Sequence, residues 1–513
     1  MAAFKLVQME GFGYDLKAKT QQIIAKAQAI GAGVHFLSLN ALCPLDLFKL
    51  QFANAYLEHV PQSLELIAKS LDASQELFLV TYTSDCNLAL YKLTQQQITC
   101  YPLKLQLCDP HFTLGYSYLE HACCVVVLFG DVCRDLKLFA EKFLQLMQHE
   151  AQVIENIVII AALNWVLPGT KPIETCILDL AYHLKRPIFF LNSLGLDLGR
   201  MYYGASFIAG SAGTLLAKAK FLREDVLAPN INIICQDQEP LEQLFLVLVA
   251  GLKAFCKEVA CKHLFLGLSG GLDSALVLAI SAKAYAKDKI TPVLMPSPFN
   301  AASSTQDALT LCHNLQIAPL TLPITPSFDL LQNELQEALS HFETSAKDVT
   351  FENMQARIRG LFLVTLANRA QGIVLNTSNK SEIAMGYSTL YGDTVGAIAV
   401  LGDLLKTQVY ALAHWYNETQ ISGLIPETIL TKAPSAELRP NQKDTDSLPE
   451  YAILDHYLEE IFQGKVPEDT QGLAIYKQVQ SQEFKRLQEP PALIVSNYAL
   501  GHSVRFPWLG RFK

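Results

Sequence analysis

The spacing of apolar positions changes along the chain and marks its elements. Residues 4–42 open on a short apolar run, FKLVQM, and a glycine-containing turn, EGFGYD. In the next stretch, LKAKTQQIIAKAQAIGAG, apolar residues recur every three to four positions, and a second run, VHFLSL, follows. These periods predict strand, turn, helix and strand. Similar α/β alternation continues to about residue 225: a helix around 63–73, strands LFLVTYT, ALYKLT and ACCVVVLFG, a helix over 134–148, strands NIVIIAAL and PIFFLNS, and a turn-rich segment YYGASFIAGSAGTLLAKA. Residues 226–240 set two prolines among polar residues and suit a linker, which separates a domain over 1–225 from one over 241–513.

The second domain opens with a patterned helix from Leu241 to Val259. Strand HLFLGL, turn SGG, helix DSALVLAISAKAYA and strand ITPVLMP then form a βαβ unit with parallel strands. That order predicts a doubly wound α/β sheet with its ligand at the carboxyl ends of the strands. Residues 433–450, APSAELRPNQKDTDSLPE, are polar and proline-punctuated and predict a long loop, a kind of segment that is often functional.

Composition narrows the function classes. The chain has 513 residues, and at roughly 150 residues per domain it holds more than one. Half of it is hydrophobic and 17% is charged, which suits packed cores rather than a disordered chain. The net charge of -9, from 40 Lys and Arg against 49 Asp and Glu, argues against nucleic acid as a partner. Twelve cysteines are scattered without a CxxC, as expected of free thiols in a reducing compartment. The start of the chain lacks the pattern of a secretion signal, and no apolar run is long enough to span a bilayer. A cytoplasmic enzyme with no membrane partner is the expectation.

The sharpest local signal is Gly267-Leu268-Ser269-Gly270-Gly271-Leu272-Asp273-Ser274, a glycine turn between a buried strand and a helix N-terminus. Glycines let backbone N–H groups approach an anion, Ser269 and Ser274 add hydroxyls, and the helix dipole favours negative charge. A carboxylate inside a phosphate cradle needs a cation beside it, so Asp273 implies Mg²⁺. The plainer reading is a tight βα turn with Asp273 as a helix cap. The SGGxDS pattern in this setting resembles the PP-loop ATP pyrophosphatases, which activate a carboxylate or carbonyl by adenylation.

Further motifs follow: Asn353-Met354-Gln355-Ala356-Arg357-Ile358-Arg359, then Asn376-Thr377-Ser378-Asn379-Lys380-Ser381-Glu382, Tyr391-Gly392-Asp393, Leu405-Lys406-Thr407-Gln408-Val409-Tyr410, Pro434-Ser435-Ala436-Glu437-Leu438-Arg439-Pro440 and Phe484-Lys485-Arg486. In order and spacing the set resembles the synthetase domain of NAD synthetases over nearly all of residues 240–513. The resemblance implies ATP binding by Gly267, Ser269, Gly270, Gly271, Asp273, Ser274, Met295, Thr377 and Lys406. It implies deamido-NAD binding by Asn353, Arg357, Glu382, Asp393, Ser435 and Lys485, Mg²⁺ on Asp273 and Glu382, and Asp273, Lys406 and Asp393 as catalytic groups. Asn353, Arg357 and Arg359 are expected near one another on a helix turn. The plainer alternatives are a solvated helix face for the arginines, a helix cap with Glu382 in its first turn, surface lysines at 406 and 485, and a turn aspartate at 393.

The implied reaction joins ATP to the nicotinate carboxylate of deamido-NAD as an acyl-adenylate, from which ammonia displaces AMP. Amidation of the shorter nicotinate mononucleotide is a second enzyme reading. A regulatory protein with an idle amidase half is a reading from another class, opposed by the intact loop residues. A tRNA-modifying PP-loop enzyme is disfavoured by the negative charge and the missing CxxC.

Residues 1 to about 225 resemble the nitrilase-like glutaminase domain of glutamine-dependent NAD synthetases, which implies an α-β-β-α sandwich. That family uses a Glu–Lys–Cys triad. Here Ser38-Leu39-Asn40-Ala41-Leu42 puts Leu39 where the glutamate belongs, and Phe129-Gly130-Asp131 puts Phe129 where the cysteine belongs; Lys104 remains as the candidate lysine. A lysine without thiol or base cannot form a thioester, so the domain is expected to be inert towards glutamine. A rescue reading makes Cys124 or Cys133 a displaced nucleophile. The resemblance also implies a homo-oligomer, a dimer or higher, and a separate glutaminase remains an open source of ammonia.

Overall fold

The computed structural model describes residues 4–11, 15–43, 53–83, 87–109, 112–119, 123–130, 134–148, 154–197, 199–229, 235–236, 238–343, 348–440 and 442–506. They form two compact units, 1–243 and 244–513. No helix among the described residues is long and apolar enough to cross a membrane.

The first unit is built on two sheets. One runs in the order Asp225–Leu227, Phe4–Gln8, Gly33–Leu37, Gln75–Tyr82, Leu88–Leu93, Ile98–Pro102, and the other Leu215–Lys218, Phe207–Ala209, Ile188–Asn192, Asn156–Ala162, Cys123–Gly130, Phe112–Leu119, Lys104–Asp109. Strand alternation decides what each side chain meets. Val7, Leu37, Leu77 and Leu79 pack against Ile23, Leu64 and Ile67 of the covering helices. Their neighbours Leu6, Phe36, Phe78 and Val80 turn the other way, onto Val127, Val158, Ile160 and Phe189 of the second sheet. Helix Lys171–Leu184 covers the far side of that sheet. The result is the expected α-β-β-α sandwich.

Some details depart from the pattern reading. The segment YYGASFIAGSAGTLLAKA contains a hairpin, Phe207–Ala209 with Leu215–Lys218. Gly213 turns it at φ 74°, and the Gly210 N–H donates to the Thr214 carbonyl at 2.8 Å. Strand Ile98–Pro102 lies at a sheet edge and is exposed at every second position, so its apolar signal is weak. Asp225–Leu227 pairs antiparallel with Phe4–Gln8, which absorbs the start of the expected linker into the first sheet. Residues 230–234 and 237 of that linker lie outside the described residues.

The second unit carries a five-stranded parallel sheet in the order Leu320–Thr321, Ile290–Leu294, Leu264–Gly267, Ile373–Asn376, Ile398–Ala399. The chain steps outward from Leu264–Gly267 twice, then returns to its other side at Ile373–Asn376. Strand order therefore reverses between those two strands, and such a switch point opens a crevice at their carboxyl ends. Helix Leu272–Ala284 is buried on nearly all sides, against the sheet and against helices Ala302–Leu315 and Lys406–Thr419. This explains why DSALVLAISAKAYA shows no polar stripe. The doubly wound reading holds.

Candidate active site

At the switch point the chain leaves Leu264–Gly267 through Leu268-Ser269-Gly270-Gly271 and enters the helix starting at Leu272. Gly270 sits at φ 80°, and a Cβ there would come within 2.1 Å of the Ser304 carbonyl oxygen. Only glycine meets both demands. The Gly271 N–H donates to Ser269 Oγ at 3.1 Å, and Ser274 Oγ donates to the Gly271 carbonyl at 3.0 Å. These bonds shape a loop whose hydroxyls and helix-start amides gather at one end of the sheet.

The loop forms one wall of a cavity of about 300 Å³. Met295, Arg359, Asn376, Thr377, Ser378, Glu382, Asp393, Lys406, the 432–438 segment and Asp444 complete the wall. At its floor Lys406 Nζ lies 2.5 Å from Asp273 Oδ2 and 3.2 Å from Glu382 Oε1. Asn379 Nδ2 donates to Asp273 Oδ1 at 3.0 Å, while its own Oδ1 accepts from the Glu382 N–H at 3.0 Å and caps helix Lys380–Met385. Asp444 accepts from Tyr451 Oη at 2.9 Å and from Tyr387 Oη at 3.3 Å.

Desolvation sets the electrostatics of this cluster. It pushes the Glu382 carboxyl up to about 7 against the pull of Lys406, with Asp273 and Asp444 adding to the rise. Burial alone would lower Lys406, but Asp273 and Glu382 outweigh it and hold the ammonium above the ordinary lysine range. Burial also raises the Asp444 carboxyl. One cation thus stands among three carboxylates.

A second group surrounds the Tyr391-Gly392-Asp393 turn. Asp393 Oδ1 accepts from the Thr389 N–H at 2.6 Å, and burial pushes its carboxyl up to about 6 although Lys485 pulls the other way. Asn353 Oδ1 accepts from Thr389 Oγ1 at 2.8 Å. Lys485 Nζ donates to the Gly386 and Ser388 carbonyls, each at 2.7 Å. Asn353, Arg357 and Lys485 lie outside the cavity wall.

Asn353, Arg357 and Arg359 stand on one helix, Thr350–Ala370, as expected, but the two arginines point to different sides of it. Residues two apart on a helix point to opposite sides. Arg357 is exposed and donates from Nε to the Leu390 carbonyl at 3.2 Å. Arg359 turns into the cavity, donating from Nε to the Met295 carbonyl at 3.1 Å and from Nη2 to Asn300 Oδ1 at 3.2 Å.

Residues 432–438 line the cavity, and polar contacts within the loop and to the neighbouring helix Ala302–Leu315 and its approach hold them. Ser435 Oγ donates to the Gln442 carbonyl at 2.6 Å. Glu437 accepts from Ser304 Oγ at 2.6 Å and Asn300 Nδ2 at 3.1 Å, and pairs with Lys432 at 2.5 Å.

The sequence matches the NAD synthase family over residues 244–490. A glutamine-dependent NAD(+) synthetase of Synechocystis sp. is 34% identical over 409 residues, 74% of this chain and 72% of the relative. The chain belongs to the glutamine-dependent NAD(+) synthetase family. With that family it is a carbon–nitrogen ligase. Two solved members share its fold along nearly the whole length. The Acinetobacter baumannii synthetase, in complex with adenosine diphosphate, has a TM-score of 0.71 over 99% of this chain and 98% of its own at 22% identity. The Cytophaga hutchinsonii synthetase has a TM-score of 0.75 over 99% and 98% at 15% identity.

In the first unit, the structure describes the three positions that the resemblance assigns to the triad, Leu39, Lys104 and Phe129. Leu39 is 3% exposed and packs in the core between the sheets with Phe36, Phe78 and Ile160. Lys104 is exposed, with its ammonium 5.5 Å from the ring centroid of Tyr116 and 6.0 Å from that of Tyr118. Phe129 is described by its backbone, which pairs with Thr113 and Ala162. Cys124 is fully buried, which opposes its use as a displaced nucleophile. Asp131 and Cys133 lie outside the described residues.

No motif marks Asp444, Tyr387 or Tyr451. Each reaches the cluster through tertiary packing, and the one hint in the sequence is an acidic residue late in a proline-punctuated loop.

Proposed function

We propose that the second unit amidates deamido-NAD to NAD with ATP and free ammonia, and that the first unit no longer releases ammonia from glutamine. The observation that carries this reading is the Lys406 ammonium fixed between Asp273 and Glu382 beneath a glycine loop at the sheet's switch point.

A magnesium ion fits the donor set. Asp273 and Glu382 stand together on the cavity wall, and Mg²⁺ is ordinarily held by one or two carboxylates plus substrate phosphates. Asp273 and Glu382 would hold it. When bound, it neutralises charge on the transferring phosphates.

The loop amides with Ser269 and Ser274 would cradle the pyrophosphate of ATP, and Lys406 would meet the charge that builds as it leaves. Met295 and Thr377 line the same cavity and would contact the nucleotide. The substrate carboxylate attacks the α-phosphorus, pyrophosphate departs, ammonia adds to the acyl carbon, and AMP leaves. Asp393 would bind ammonium and take the proton it sheds. Asn353, Arg357 and Lys485 would position the dinucleotide from outside the cavity wall, and Ser435 would hold residues 432–438 over the adenylate and keep water away. Positioning and charge neutralisation carry the chemistry, so no covalent nucleophile is required.

A thiol and a paired base are what a glutaminase of this type needs, and residues 39 and 129 supply neither. The test is a steady-state assay with deamido-NAD, ATP and Mg²⁺, run with ammonium and in parallel with glutamine. Turnover with ammonium alone is expected, and glutamine-driven turnover at a similar rate would overturn the reading. Nicotinate mononucleotide in the same assay, followed by pyrophosphate release, separates the two substrates.

A further inference from the structure

Helix Tyr451–Phe462 contains none of the motifs, yet it packs against the helices that carry Glu382 and Lys406. Asp455, 3% exposed, accepts from Ser381 Oγ at 2.5 Å through Oδ1 and from the Thr407 N–H at 2.8 Å through Oδ2. Ser381 Oγ in turn accepts from the Lys406 N–H at 2.9 Å. The first N–H groups of helix Lys406–Thr419 have no partners within their own helix. Here two of them end on a buried carboxylate and on the hydroxyl it orients, where negative charge is favoured by the helix dipole.

Ser381 immediately precedes Glu382, so the same carboxylate ties the helix carrying Glu382 to the helix carrying Lys406. One turn earlier on the same face, Tyr451 lies with its ring centroid 5.2 Å from Lys406 Nζ while its hydroxyl holds Asp444. Asp455 itself lies outside the cavity wall. A neutral cap would satisfy those amides as well for stability alone, and a buried charge is costly to keep. We propose that Asp455 is a positioning residue for Lys406, fixing its ammonium against Asp273 and Glu382 through the backbone of residues 406 and 407 and through Ser381. This rests on the reading of Lys406 given under the proposed function.

Asp455→Asn keeps the size and one acceptor and removes the charge. Its kcat is expected to fall about tenfold to a hundredfold, as for other supporting groups of a reactive centre. KM for deamido-NAD should stay within about twofold, because Asp455 lies outside the cavity wall and the groups expected to position the dinucleotide are not tied to it. In a Lys406→Met background the same substitution should cost little further, since its target is gone. Unchanged kcat, or the same fold loss in both backgrounds, would overturn the proposal. If Asp455→Asn fails to fold, Ser381→Ala cuts the relay at its hydroxyl and should lower kcat severalfold at unchanged KM for deamido-NAD; an unchanged kcat there overturns it equally. A Lys406→Met enzyme with the parent kcat would instead sink the reading of Lys406, a result visible without touching Asp455.

Discussion

In the second unit, Asp273, Glu382, Asp444 and Lys406 crowd one desolvated site where carboxylates outnumber ammonium. In the first, the position that the resemblance assigns to a glutamate holds Leu39, packed among Phe36, Phe78 and Ile160. Uncompensated buried charge lowers stability, and well-packed apolar residues of similar volume usually serve a fold as well or better. On the proposed reading, the second unit keeps such charge for chemistry, while Leu39 in the first serves packing between the sheets. The first unit does bury an ion pair, Glu174 with Lys218, and Lys171 lies 2.6 Å from the same carboxylate. That anion is matched by its cations and joins a helix to a strand, unlike the surplus in the second unit.

The contrast breaks most sharply under Asp273→Ala. Removing this carboxylate frees Lys406 from its shorter contact and takes away half of the proposed metal pair. A loss in kcat of about a hundredfold to a thousandfold is expected, by the scale of single electrostatic groups in transition states. Pyrophosphate release under saturating ATP checks it, and activity within about twofold of the parent would refute the assignment of the site.

Leu39 predicts the reverse pattern. Leu39→Ala leaves a void between the two sheets and should cost about 2–4 kcal/mol of stability, read by thermal or urea unfolding. Ammonium-driven kcat at a temperature where the unit stays folded should not change. Leu39→Glu should cost more, because a carboxyl in that apolar surrounding must stay neutral or unpaired. Glutaminase activity appearing on Leu39→Glu alone would break the comparison, since no thiol stands at position 129 to use the restored base.

What the sequence made legible follows from locality. Gly267–Ser274 is contiguous, and its glycine demands and its place between strand and helix are all written within a dozen residues. The switch-point sheet followed from the same βαβ reading. Asp444, Tyr451 and Asp455 could not be read, because they reach Lys406 only after a loop and a helix have packed back onto the site. The opposite directions of Arg357 and Arg359 follow from the helical period once the helix Thr350–Ala370 is known. In the first unit, edge strands such as Ile98–Pro102 are exposed at every second residue, and the apolar signal there falls below that of the buried central strands.

Asp393 offers the finest test, because its stability and activity should run in opposite directions with pH. Its carboxyl is pushed up to about 6 by burial, against the Thr389 N–H and Lys485; Glu489 and Arg359 are the other charges within electrostatic reach. A folded-state value above the ordinary one means that folding favours the protonated acid. That contribution is fully present below the ordinary aspartate range and is lost as pH rises through about 6. Its proposed task needs the carboxylate, so kcat/KM for ammonium, measured against total ammonium well below its own pKa, should rise about tenfold per unit up to that pH and level off above it. Asp393→Asn should abolish the break, lower the plateau, and make the protein more stable than the parent above pH 6. Leu39 carries no proton, so Leu39→Ala should lower stability by the same amount across the range. An Asp393→Asn enzyme with the parent profile would remove Asp393 from the ammonium step and leave its burial a purely structural matter.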